Sequence, residues 1–193
     1  MMTHFCSRVL QRGFFILIAL FILASCGGGQ AVKSAPSTAF KENPLDRKYN
    51  VVLLQKVEIA PQIAADYPTV VADYENSLLS DLRAKNRFRE VDKQTSQEQY
   101  DQNTLLVKSK VLSLRVVSGS ARFWFGAAAG TSDMNVEIKL VDAETGNVLR
   151  EKVLSTANNP FGAVFTGGSS DTSLPADMGR IIAAYILAVS PER

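Results

Sequence analysis

Between Met134 and Leu140 the chain alternates strictly: Met134, Val136, Ile138 and Leu140 are apolar, while Asn135, Glu137 and Lys139 are polar. Successive strand side chains point to opposite faces, so this run predicts a strand with one face buried and the other wet. Asp142-Ala143-Glu144-Thr145-Gly146 then supplies a turn, with Gly146 where a positive φ is expected, and Asn147 to Ala157 returns as the partner strand. A sheet that is apolar on one face only must be covered by something else, and two segments carry helical spacing. Val71, Tyr74, Leu78 and Leu82 recur at three- and four-residue steps, with Asp66 as the cap, Pro68 in the first turn and Asn86 as a left-handed stop. Met178, Ile181, Ile182, Tyr185, Ile186 and Val189 form the apolar face of a last helix that starts near Ser173 or Leu174.

The remaining strands are Tyr49 to Ile59, closed by Pro61; Phe88 to Val91; and Leu105 to Val117. The order is β-α-β-β-β-β-α. It predicts an α+β fold, a two-layer sandwich of a mostly antiparallel sheet with both helices on one face. Three regions are expected: residues 1–25 as a leader, 26–49 as a flexible tether, and 50–193 as a single domain.

The leader reading rests on Arg8 and Arg12, the apolar run Phe14 to Ala24, and the absence of any acidic residue before Cys26. A helix through about eleven residues reaches only roughly 17 Å, short of the roughly 30 Å hydrocarbon core, so a spanning helix is the weaker reading. The tetrad Leu23-Ala24-Ser25-Cys26 resembles the lipobox of bacterial lipoproteins. That resemblance implies cleavage between Ser25 and Cys26 and a diacylglyceryl group on the Cys26 thiol; the competing reading is an ordinary secretory signal that happens to hold a cysteine. In such lipoproteins an aspartate after the cysteine implies inner-membrane retention. Gly27 stands there instead, which implies the periplasmic face of the outer membrane. The run from Gly27 to about Asn50 includes Pro36 and Pro44 and has little apolar periodicity, as a tether would.

Composition narrows the chemistry. Loss of Arg8 and Arg12 with the leader takes the 21 Lys and Arg to 19, equal to the 19 Asp and Glu, so the mature chain is formally neutral and no nucleic-acid partner is expected. The only cysteines are Cys6 and Cys26 and the only histidine is His4. The domain therefore lacks the residues for Ser-His-Asp or Cys-His catalysis and for the usual zinc site, and no metal or cofactor is expected.

Two loops stand out. Gly119-Ser120-Ala121-Arg122-Phe123-Trp124-Phe125-Gly126-Ala127-Ala128-Ala129-Gly130 places three aromatics in a row, which cannot all face one side of a strand. Its glycines are not followed by the lysine of a P-loop and read as a bulge or a close backbone crossing. Arg122, Phe123, Trp124 and Phe125 are the candidate binding surface: Arg122 and Trp124 could stack on a glycan or a partner's aromatic surface, or Trp124 could close the end of the core. The second loop, Asn158 to Asp171, carries Phe161, Phe165 and Gly167-Gly168. The Arg-plus-aromatic, Gly-rich stretch, the alternating strand and the turn from Val141 to Gly146 together resemble a bacterial lipoprotein family known as domain of unknown function 4410, over roughly Val51 to Val189. The strand order also resembles periplasmic domains of curli-secretion and penicillin-binding-protein-activator lipoproteins at the level of fold. Neither resemblance implies an activity.

The leading expectation is a non-enzymatic, lipid-anchored envelope protein that binds another protein or assembles with itself. One alternative is a carboxylate hydrolase of cell-wall glycans drawing on Asp133, Glu137, Asp142 and Asp171, which would need two carboxyls about 5–10 Å apart. Another is a small-molecule or lipid-binding module.

Overall fold

The computed structural model describes residues 40, 42–95, 103–158 and 169–191. The leader, Ser25, Cys26, the tether through residue 39, and Phe161, Phe165, Gly167 and Gly168 of the second loop lie outside the described residues. In chain order the elements are β1 (Val51–Leu54), β2 (Glu58–Ile59), α1 (Pro61–Asp66), α2 (Val70–Ala84), β3 (Glu90–Lys93), β4 (Thr104–Arg115), α3 (Gly119–Phe125), a 3-10 turn (Gly126–Ala129), β5 (Asp133–Asp142), β6 (Val148–Ala157), α4 (Ser169–Thr172) and α5 (Leu174–Val189).

The fold is α+β, a mixed six-stranded open sheet with helices packed against it. Strand order is β3-β1-β4-β5-β6, with β2 also beside β4. β1 runs parallel to both β3 and β4, whereas β4, β5 and β6 form an antiparallel meander. The parallel β1–β3 pair needs a crossover, and α1 and α2 supply it. The alternation of β5 appears as read: Met134, Val136, Ile138 and Leu140 are buried in the core with Tyr74, Leu78 and Leu82 of α2 and Met178, Ile182, Tyr185 and Ile186 of α5. On the other face Lys139 of β5 pairs with Glu151 of β6 at 3.2 Å.

Several local expectations are corrected. The strand drawn from Tyr49 to Ile59 is two strands, and Pro61 opens α1 as well as ending β2, because its missing N–H costs nothing in a first helical turn. Asp66 closes α1 and does not cap α2; Thr69 holds that position without a side-chain hydrogen bond. The strand drawn to Val117 ends at Arg115, and a register shift between Val111 and Ser113 leaves Leu112 turned to solvent. Asn86 and Gly146 do take the positive φ assigned to them, 50° and 72°.

The tether region is also shorter than drawn. Leu45 and Tyr49 are buried, the Leu45 N–H donates to the Val189 carbonyl at 2.7 Å, and Phe40 packs edge-on against Tyr185 with centroids 5.2 Å apart. Three spaced apolar residues, Phe40, Leu45 and Tyr49, were enough to fasten a segment that lacks any regular period.

α2 and α5 lie side by side with the same chain direction: the Ser77 hydroxyl donates to the Ala176 carbonyl and Arg87 donates to the Leu187 carbonyl, both at 2.7 Å. A β-carbon on Gly179 would lie 2.6 Å from the Tyr74 carbonyl oxygen and 2.9 Å from the Leu78 nitrogen. The helices touch through bare backbone there. At the end of the sheet near the C-termini of these helices, Asp142 fixes the β5–β6 turn by accepting from the Glu144 and Thr145 N–H groups, each at 2.9 Å, and from the Tyr49 hydroxyl at 2.8 Å.

Candidate functional site: an exposed aromatic helix on a buried ion pair

The opposite end of the sheet, where β4 stops, β5 starts and β6 stops, carries α3. The run from Gly119 to Phe125, expected to be a bulge or crossing, is a seven-residue helix. Ser118 initiates it, its hydroxyl accepting from the Ala121 N–H at 3.2 Å. The 3-10 turn follows, and Gly130 leaves it at φ 98°, where a β-carbon would also sit 3.2 Å from the Arg115 guanidinium. That glycine serves a tight reversal between helix and strand.

In a helix, neighbouring residues project about 100° apart. Arg122 takes the one direction that faces the domain, so Phe123, Trp124 and Phe125 fan across the remaining circumference. They are 79%, 76% and 67% exposed. Phe123 and Trp124 meet edge to face, with ring centroids 5.2 Å apart. Trp124 therefore does not close the core. By the usual area of aromatic side chains, the three present on the order of 400 Å² of ring surface, at the size where an apolar patch on a protein signals a contact site.

The expectation that Arg122 joins this surface is overturned. Its side chain is 1% exposed and faces Asp171, which is 0% exposed. The guanidinium fork donates Nε to Oδ2 and Nη2 to Oδ1, both at 3.0 Å, and Nη1 donates to the Gly130 carbonyl at 2.7 Å. Burial on its own would raise the Asp171 carboxyl. The hydrogen bonds from Arg122 and Ser132, the Arg122 charge and Asn158 outweigh it and hold the group below the ordinary carboxylate value. Ser132 is itself fully buried and accepts from the Val117 N–H at 2.8 Å. One polar knot thus ties α3, the 3-10 turn, the start of β5 and α4 together. A buried charge is kept only when paired and hydrogen-bonded, and this one is satisfied on every side.

Two of the candidate carboxylates are tied to structural partners. Asp171 is committed to Arg122, and Asp142 is committed to its turn at the far end of β5. There the Asp142 carboxyl is lowered, burial again opposing and the Thr145, Tyr49 and Glu144 hydrogen bonds prevailing. Asp133 and Glu137 share one strand at a spacing that puts them roughly 13 Å apart. Among the described residues, no three side chains of metal-ligating type come together, and no helix is long and apolar enough to cross a membrane. Sequence reading named Arg122 and Asp171 in separate roles and missed that they form a pair.

The family model described as "Domain of unknown function (DUF4410)" matches residues 32–163. No curated protein matches the sequence. Among solved structures, the fold is similar to the PelC dodecamer from Paraburkholderia phytofirmans, at a TM-score of 0.51 and 14% identity, over 74% of this chain and 93% of that one. A point variant of the same protein gives 0.50 and 15%, over 78% of this chain and 95% of that one. A Xanthomonas campestris protein of the DUF330 family follows at 0.46 and 10%, over 76% and 91%, too distant to bear on the argument.

Proposed function

The chain belongs to the DUF4410 family, whose description carries no activity, and we propose, from the lipobox resemblance at Cys26 and the geometry of α3, that it is a lipid-anchored periplasmic envelope protein that works by contact, as an assembly module, and not by catalysis. The observation that carries this reading is the trio Phe123, Trp124 and Phe125, held out on a helix that a buried ion pair fixes in place. Such a surface loses little conformational freedom on docking, which is what favours tight contact. The engagement of Asp142 and Asp171 in structural hydrogen bonds supports contact over glycan hydrolysis. Self-association fits a fold shared with a dodecameric protein. The lipid enters through Cys26, with cleavage after Ser25.

The test is made in cells and in detergent extracts. Labelled palmitate should enter the wild-type chain and not Cys26→Ser, which should leave the membrane fraction. The extracted wild-type protein should migrate at several times the monomer mass or with a partner. A chain that takes no label, or that is monomeric and solitary after cross-linking, contradicts the proposal.

A further inference from the structure

We propose that the exposed aromatics of α3 dock on the surface of the bilayer that holds the Cys26 lipid. The inference names the partner of the contact surface described above and so rests on that reading. Three observations lead to it. The first is chain direction. Leu45 meets Val189 and Phe40 meets Tyr185, one helical turn nearer the start of α5. Independently, Arg150 reaches the Asn43 and Pro44 carbonyls while Lys152 pairs with Glu42, two residues nearer the end of β6. Traced backwards, the chain therefore heads for the end of the sheet that carries α3. Tyr185 is roughly 16 Å along α5 from Leu174, and Lys152 roughly 17 Å along β6 from Ala157. Cys26 is fourteen positions before Phe40, a reach of at most about 50 Å, so the lipidated end and the aromatic helix can meet one membrane together.

The second observation is chemistry. Tryptophan and phenylalanine on a short helix suit the headgroup boundary, where an apolar ring and a polar edge are both satisfied. The third is charge. No acidic residue occurs between Arg115 and Asp133, and the nearby Asp171 is neutralised by Arg122. Anionic headgroups would meet no carboxylate on α3 or on the 3-10 turn that follows it.

Trp124 is the only tryptophan in the chain, so its fluorescence reports this contact alone. The mature chain from residue 26, carrying Cys26→Ser and hence no lipid, is mixed with phosphatidylethanolamine vesicles containing a quarter phosphatidylglycerol. Its emission should shift to the blue and be quenched by brominated acyl chains. Phe123→Ser/Phe125→Ser, which retains the reporter and should keep its melting temperature, should bind about tenfold or more weakly. Emission that stays as in buffer overturns the proposal. So does a blue shift that rises with protein concentration alone and ignores brominated lipid, which would make a second copy the occupant. Palmitate labelling is unaffected by either outcome, so a failure here is distinct from a failure of the lipid-anchor reading.

Discussion

Arg122→Met is expected to cost the domain about 3–5 kcal/mol, because it leaves the Asp171 carboxylate buried without its counter-charge. At this chain length that is a fall on the order of 10 °C in melting temperature. Asp171→Asn should cost a similar amount by stranding the guanidinium, whereas Arg122→Met/Asp171→Leu should lose less than the two single changes combined, since no charge is then left in the interior. The pH dependence has a definite sign. The folded carboxyl is depressed, so its stabilising contribution is fully present above the unfolded value of about 4 and is lost as pH falls through the folded one. In Arg122→Met, burial is opposed only by the Ser132 and Asn158 hydrogen bonds, and the folded carboxyl rises. The gap between wild type and variant should therefore be widest near neutral pH and narrow as pH falls below about 5. Denaturant titrations at several pH values read this directly; a gap under about 1 kcal/mol that ignores pH would mean the pair is not closed in solution.

The second large effect belongs to Gly179. Alanine normally favours a helix interior over glycine by about 1 kcal/mol. Here its β-carbon would enter the backbone of α2, 2.6 Å from the Tyr74 carbonyl oxygen. Neither helix can yield cheaply, since Tyr74 is fully buried with its hydroxyl 2.7 Å from Ser109 and Ser77 is bonded to Ala176. Gly179→Ala should destabilise by about 1–3 kcal/mol, and Gly179→Leu should fail to fold. Stabilisation by Gly179→Ala would show that α2 and α5 are farther apart than described.

What could be read from the sequence was what local period encodes. The strand through Met134 and Leu140, its return after Gly146, and the apolar faces of α2 and α5 follow from spacing alone, because one buried face imposes a period. The order of the strands does not. That β1 lies between β3 and β4 depends on pairings that no local pattern records. The candidate site divides along the same line. Three adjacent aromatics flag the place, but a seven-residue helix anchored through one side chain has no apolar stripe, so no local period distinguishes α3 from a loop. Its anchor joins residues 49 positions apart, and nothing local links an arginine in one Gly-rich segment to an aspartate at the end of another. A signal was present at Gly179: a glycine inside a strongly apolar helical run calls for a packing reason.

The central claim is that α3 is where this protein meets its surroundings. A photo-reactive phenylalanine analogue placed at Phe123 in growing cells tests it most directly, with Lys85 as the comparison. Lys85 is also exposed but caps α2 at the far end of the domain. Mass spectrometry of the irradiated protein should find adducts, to lipid or to protein, at position 123 and few at position 85. Equal yields at the two positions, or none at 123, would contradict the account.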